Sequence, residues 1–152
     1  MINPTAEDTI TKTIVVNCTV EVAFRIWTEQ IKTWWPEGHS LSGHIGTAVF
    51  IEGKVGGRFY ERTPDGREYD WGEVVAWEPP HRLAYNWYLG SSAELPSRVD
   101  VRFTALGPDS TQVNVVHGGP EYIGELWAQR SSGYEAAWQE VLASYVAACD
   151  ME

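Results

Sequence analysis

Residues 57–88 read GRFYERTPDGREYDWGEVVAWEPPHRLAYNWY, and apolar and polar side chains alternate through most of this segment. Alternation with a period of two is typical of β-strands that bury one face. The tripeptides at 64–66 (PDG) and 78–80 (EPP) interrupt the alternation with residues that favour turns. Because connections this short leave no room for a crossover helix, the segment predicts three neighbouring antiparallel strands.

The same period extends to both sides of these three strands. After the first strand, Thr19 can cap a helix with apolar positions from Val22 to Trp34, and Pro36 and Gly38 end this helical segment. In all, strands are predicted at about residues 10–17, 47–52, 57–63, 68–77, 82–89, 97–105 and 111–117.

The last third of the chain has a helical pattern. Apolar residues repeat at 3.6-residue spacing from Tyr134 to Val146, and Ser132 with Glu135 can form a capping box in front of them. Residues 123–130 belong either to the same helix or to a short helix that ends at 131–133. An antiparallel sheet of seven strands must bury one face, and only this helix is long enough to cover it. The sequence therefore predicts a single α+β domain over residues 1–152.

Composition restricts the classes of function. The net charge is -10, from 11 Lys and Arg against 21 Asp and Glu, and no basic stripe is present, so neither nucleic acid nor a membrane is expected as a partner. Cys18 and Cys149 have no zinc-binding spacing, and no apolar segment precedes the first charged residues, so we expect a cytoplasmic protein without a metal or other cofactor. Eight tryptophans and seven tyrosines indicate either a lined cavity or an aromatic-rich core.

Several short motifs in a fixed order carry a family resemblance. They are Trp34-Trp35, Gly56-Gly57-Arg58-Phe59, Asp65-Gly66, Trp71-Gly72-Glu73-Val74, Glu78-Pro79-Pro80 followed by Leu83 and Trp87, His117-Gly118-Gly119, and Trp138 with Leu142. The element order resembles the helix-grip fold of the Bet v 1 and START-related (SRPBCC) superfamily. More narrowly, residues 10–148 resemble the family homologous to the C-terminal domain of the activator of Hsp90 ATPase.

This resemblance implies a curved seven-stranded sheet around the C-terminal helix, two short helices after strand one, and a pocket whose ligand differs between family members. Family habit also suggests a homodimer. The Hsp90 activator itself works with an additional N-terminal domain that has no counterpart here, so a chaperone partner is not favoured.

Hairpin pairing predicts which side chains face the pocket. If the turn at 64–66 pairs residues whose numbers sum to about 131, Arg58 lies opposite Glu73. Tyr60 then lies opposite Trp71 on the same face. The predicted ligand-binding residues are Trp34, Trp35, Arg58, Tyr60, Trp71, Glu73, Tyr85, Trp87, His117, Trp127, Tyr134 and Trp138.

Two alternatives to this assignment stay open. A slip of one residue would turn this face outward and place Phe59, Val74 and Ala76 inside instead. Arg58 and Glu73 either orient a polar ligand or form an ordinary cross-strand ion pair.

His117 shares a strand face with Val113 and Val115, so its ring should point inward. A structural hydrogen bond or a ligand contact is favoured over catalysis, because no nucleophile or carboxylate adjoins it in sequence. Glu37, His39 and His44 share one loop, but their spacing fixes no metal geometry. We expect that loop to be a lid, with residues 89–97 and the Trp34-Trp35 pair framing the same entrance.

The predicted function is the binding of a small apolar or aromatic molecule between the sheet and the C-terminal helix. The first alternative is a cofactor-free enzyme of the polyketide cyclase or hydrolase type, as the superfamily resemblance allows. Its acid–base set would be Arg58, Glu73, Tyr85 and His117. A protein-interaction role like that of the Hsp90 activator is the second alternative.

Overall fold

The computed structural model describes residues 9–36, 39, 42, 46–92, 94–118 and 126–151. Its strands are β1 (Thr9–Val16), β2 (Ala48–Ile51), β3 (Arg58–Arg62), β4 (Glu68–Glu78), β5 (Arg82–Ser92), β6 (Leu95–Gly107) and β7 (Ser110–Gly118). Its helices are α1 (Val20–Thr28), α2 (Ile31–Trp34) and α3 (Leu126–Asp150). The strands form one curved antiparallel sheet in the order β1-β7-β6-β5-β4-β3-β2, which confirms the predicted α+β helix-grip architecture.

The helices cover the inner face of this sheet. Thr19 caps α1 as predicted, because its side chain accepts a hydrogen bond from the Val22 amide at 3.2 Å. Ala23 and Trp27 of α1 are fully buried. Helix α3 packs across α1, and the Tyr145 hydroxyl donates a hydrogen bond to the Ala23 carbonyl at 2.8 Å. The two helices and the sheet therefore share one core.

Helix α3 is continuous from Leu126 to Asp150, so one helix spans these residues. The predicted capping box is wrong, because Ser132 and Glu135 lie inside the helix. Gly133 does not end the helix either. A glycine in a helix interior costs about 1 kcal/mol relative to alanine, and the burial of Trp138 and its neighbours on the inner side of α3 offsets this cost.

A β-bulge changes the pairing of β3 with β4. Arg58 lies opposite Glu73, as predicted. The register then shifts between Phe59 and Tyr60, so no residue of β3 is paired with Trp71 in the strand ladder. The predicted pairing of Tyr60 with Trp71 is therefore wrong, since a bulge inserts one residue and reverses the alternation beyond it.

A second bulge lies further along β4, between Val74 and Ala76. The two bulges allow Trp71, Val74 and Trp77 to point inward at a spacing of three residues, where strict alternation would place the first two on opposite faces. The predicted inner face is therefore correct for Trp71, and the alternative inner face, which contains Val74, is correct further along β4. Ala76 lies opposite Ala84, on the other face from Trp77.

The hairpin between β5 and β6 is longer than the sequence predicts. Residues 89–97 are predicted as a loop, but β5 continues to Ser92, β6 begins at Leu95, and these two residues pair. This prediction is wrong because backbone pairing extends the hairpin through LGSS and LPS, which lack an apolar period.

Candidate functional site

Three strands contribute aromatic rings to the inner face of the sheet. Phe59 of β3 stacks on Trp71 of β4 at 5.6 Å between centroids, and it meets the ring of Trp87 of β5 edge-on at 5.3 Å. Tyr85 of β5 lies 5.0 Å from Phe59. Trp35, which follows α2, is half-buried and lies 5.2 Å from Trp71. The structure thus brings four predicted site residues together: Trp35, Trp71, Tyr85 and Trp87.

A second group of rings comes from the helices. Trp27 of α1 is fully buried and stacks with Trp138 of α3 at 6.2 Å. Trp34 lies 5.6 Å from Trp27 and 5.2 Å from Tyr145 of α3. It also lies 5.8 Å from Trp35, which connects this group to the rings on the sheet.

His117 is completely buried at the end of β7, with its ring pointing inward as predicted. Its Nε2 lies 2.7 Å from Ser97 Oγ, and its Nδ1 accepts a hydrogen bond from Trp138 Nε1 at 3.0 Å. The ring also lies 4.4 Å from Tyr134 and 5.3 Å from Trp127. Three more predicted site residues, from α3, therefore surround the histidine.

The partners of His117 determine which nitrogen carries the proton. The indole N–H of Trp138 can only donate, so Nδ1 of His117 must be the unprotonated nitrogen. Burial lowers the pKa of His117 to about 3, so the ring is neutral at pH 7 and Nε2–H donates to Ser97 Oγ. A histidine in this tautomer cannot accept the Ser97 proton, so the two residues do not form a nucleophile and base pair. The structural hydrogen bond favoured by the sequence is present.

Trp27 Nε1 is a buried donor that has no hydrogen-bond partner. Burial raises the pKa of Tyr85, and the indole N–H of Trp27 opposes that rise, which places the Tyr85 hydroxyl near Trp27. The two groups do not reach hydrogen-bonding geometry, so Trp27 Nε1–H stays unsatisfied. Trp27 is not among the predicted site residues, because its helical spacing is that of an ordinary core position.

Glu61 of β3 is a buried carboxyl group that the sequence analysis also missed. It is fully buried, and it accepts hydrogen bonds from Trp71 Nε1 at 2.7 Å and from Ser42 Oγ at 2.5 Å. Its position two residues after the inward-facing Phe59 is the signal that could have revealed it.

Three predicted site residues lie on the outer face of the sheet. Arg58 pairs with Glu68 at 3.0 Å and with Asp70 at 2.9 Å, and its guanidinium lies 4.0 Å from the ring centroid of Tyr60. Glu73, opposite Arg58, is exposed. The predicted inward orientation of Arg58, Tyr60 and Glu73 is wrong. Side chains alternate between the two faces of the sheet, and these three lie on the outer face because Phe59 and Val74 are buried on the inner face. An ordinary surface ion pair is present, but Arg58 makes it with Glu68 and Asp70.

The loop considered as a metal site is described only in part. His39 Nε2 lies 2.5 Å from a carboxylate oxygen of Glu140 on α3, while Glu37 and His44 lie outside the described residues. In the part of the chain that the structure describes, no three His, Cys, Asp or Glu side chains are grouped to hold a metal ion.

Residues 17–148 match the model of a family described as activator of Hsp90 ATPase homolog 1-like proteins. The chain belongs to this family. The match includes all the aromatic rings described above, and it confirms the resemblance found in the sequence. No functionally curated protein matched the sequence.

Solved structures extend the comparison. An anthrahydroquino-γ-pyrone synthase, Txn09, complexed with SUM, is 32% identical, with 90% of this chain and 88% of that chain covered and a TM-score of 0.57. The self-sacrificing resistance protein CalC from Micromonospora echinospora is 24% identical, with 97% of each chain covered and a TM-score of 0.75. MLL2253 from Mesorhizobium loti is 20% identical, with 94% of this chain and 97% of that chain covered and a TM-score of 0.70. The last two share the fold.

The protein also has a surface groove between β1 and α3. The groove has a volume of about 460 Å³, and its apolar lining includes Ile14, Leu142 and Val146. It lies at the edge of the sheet and does not include the rings described above. None of the helices within the described residues is long and apolar enough to cross a membrane.

Proposed function

We propose that this protein binds a small, flat, largely apolar molecule between the inner face of the sheet and helix α3. One observation carries the proposal: Trp87 on the sheet and Trp138 on the helix keep 7% and 6% of their surface exposed, whereas Trp27 and Trp71 keep none. We expect a guest to cover the exposed part of Trp87 and Trp138. Flat aromatic guests suit such walls, because offset stacking adds to the burial of apolar area.

The comparison with a synthase supports this ligand class. Txn09, at 32% identity, is named for a product that combines anthrahydroquinone and γ-pyrone rings. A fused-ring aromatic compound of that kind matches the tryptophan and tyrosine lining of the interior. The residues proposed to contact the ligand are Trp35, Trp87, Tyr134 and Trp138, with Trp127 beside them.

A cofactor-free cyclase acting in the same interior is the second candidate, and the relationship to a synthase favours it. The acid–base set predicted from the sequence is divided between the faces of the sheet, with Tyr85 and His117 inside and Arg58 and Glu73 outside. Catalysis would therefore rest on interior groups such as Glu61. Mass spectrometry of the recovered ligand separates the two functions, because a binding protein returns the molecule unchanged.

Titration calorimetry with xanthone, a flat tricyclic γ-pyrone, tests the proposal. The wild-type protein should bind xanthone with a Kd of roughly micromolar size. Trp87→Leu should weaken binding about tenfold or more through the loss of a ring contact worth about 1 kcal/mol and of its buried area. Tyr88→Leu is the matched control, because Tyr88 is the next residue on β5 and points to the opposite face.

Two results would contradict the proposal. One is the absence of saturable xanthone binding to folded wild-type protein. The other is an equal loss of affinity in the Trp87→Leu and Tyr88→Leu variants, which would place the contact away from the inner face.

A further inference from the structure

The polar groups of the interior indicate which atoms the ligand must carry, an inference that rests on the proposed binding function. Buried polar side chains among the described residues are Thr28, Glu61, Thr63, Ser97, Thr111 and His117, and no lysine or arginine is among them. An anionic ligand would find no buried cation to pair with there, and burying an unpaired charge is strongly unfavourable. The ligand that fits this interior is neutral.

The first unused donor is the Ser97 hydroxyl. A chain of hydrogen bonds runs in one direction, from Trp138 Nε1–H to His117 Nδ1 and from His117 Nε2–H to Ser97 Oγ. Ser97 is fully buried, and within the described part of the chain His117 is the only hydrogen-bond partner of its side chain. Because Ser97 accepts from His117, its own O–H remains to donate, and no described group accepts it.

The second unused donor is Trp27 Nε1–H, which is buried and unpartnered. An indole nitrogen has no acceptor function, so this group can be satisfied only by an oxygen or another acceptor atom. Native interiors rarely leave such a group unsatisfied, and an unfilled ligand or water position is a common reason.

Both donors adjoin the rings that are proposed to hold the ligand. Ser97 lies directly opposite Trp87 in the pairing of β5 with β6, and both side chains are on the buried face. Trp27 stacks with Trp138. Each of the two wall rings therefore has one unused donor beside it.

We infer that the ligand is a neutral fused-ring aromatic compound whose carbonyl oxygens accept hydrogen bonds from Ser97 Oγ–H and Trp27 Nε1–H. Ser97 Oγ already accepts one hydrogen bond from His117, and its own O–H is the group that still needs an acceptor, so an acceptor oxygen on the ligand suits the site. A hydrocarbon of the same shape would leave both donors unsatisfied. A carboxylate ligand would find no buried positive charge to pair with.

Three probes with nearly the same ring system test this inference by calorimetry: xanthone, xanthene, which lacks the carbonyl group, and xanthone-2-carboxylate. Xanthone should bind about tenfold more tightly than either of the other two. Ser97→Ala should weaken xanthone binding about tenfold and leave xanthene binding unchanged. Ser110→Ala, at the start of β7, is the matched control and should not change either affinity.

A second measurement on the wild-type protein keeps the test independent of how well Ser97→Ala folds. The indole N–H proton of Trp27, observed in 15N-labelled protein, should move downfield when xanthone binds and stay in place when xanthene binds. Xanthene binding as tight as that of xanthone, or an unmoved Trp27 signal, overturns this inference and leaves the binding function standing. Failure of both tricyclic compounds to bind overturns the binding function itself.

Discussion

His117 uses both ring nitrogens inside the protein, one towards Trp138 and one towards Ser97. Its inward orientation could be predicted from the alternation of Val113, Val115 and His117 along β7. Its partners could not, because they lie 21 and 20 residues away and meet it only through helix packing and strand register. Ser97 also stands at the boundary between the predicted loop (89–97) and the predicted strand (97–105).

Protonation of His117 should make the stability of the protein depend on pH. Burial lowers its folded-state pKa to about 3 from 6.5, so the unfolded chain binds the proton first. The contribution of the neutral ring is complete above pH 6.5 and is lost as the pH falls towards 3, with a slope approaching about 1.4 kcal/mol per pH unit. Urea unfolding between pH 4 and 7 should show this slope in the wild type and not in His117→Asn, whose amide oxygen can still accept from Trp138.

The exposed His81 provides the control for this experiment. His81→Asn should leave the pH dependence of the unfolding free energy as it is in the wild type. If the curves of wild type and His117→Asn run parallel from pH 7 to 4, the buried neutral histidine is refuted.

At the scale of elements, apolar alternation predicts strands well and bulges poorly. The pattern of β4 correctly marked a strand between two turns, and the pairing of Arg58 with Glu73 followed from turn length. The bulges that follow depend on how Trp71 and Val74 both reach the core, which is a property of packing rather than of local sequence. The inserted residue is on β4, so Arg58, Tyr60 and Glu73 stay on one face, which is the outer face, and only Trp71 changes to the inner face.

Two glycine-to-alanine substitutions should have opposite effects. A Cβ atom at Gly72 of β4 would lie 2.0 Å from the Asn86 carbonyl oxygen, so Gly72→Ala should lower the free energy of unfolding by about 3 kcal/mol or more. A Cβ atom at Gly133 of α3 meets nothing within 4 Å, so Gly133→Ala should raise it by about 0.5–1 kcal/mol. Urea unfolding of the two variants beside the wild type measures both changes.

Each variant serves as the control for the other, because the chemical change is the same. A neutral Gly72→Ala would mean that β4 and β5 approach less closely than described. A destabilising Gly133→Ala would mean that α3 is broken near residues 131–133, the alternative left open by the sequence.

At the scale of the whole molecule, element order and short connections were enough to predict the sheet and the covering helix, and the resemblance carried by the short motifs gave the family. The aromatic composition indicated a lined interior, and residues from four segments of the chain do meet there. The sequence could not show which polar groups remain unused, because an unsatisfied donor such as Trp27 Nε1 is defined by three-dimensional neighbours. The unused donors are the reason to expect a ligand with acceptor oxygens instead of a plain hydrocarbon.

The most direct test is an isotope-filtered nuclear Overhauser experiment on labelled protein with bound xanthone. Protons of the ligand should show contacts to the rings of both Trp87 and Trp138, since the guest is expected between the sheet and helix α3. Contacts confined to Ile14, Leu142 and Val146 in the surface groove, or to the outward-facing Tyr60 and Tyr88, would contradict the account.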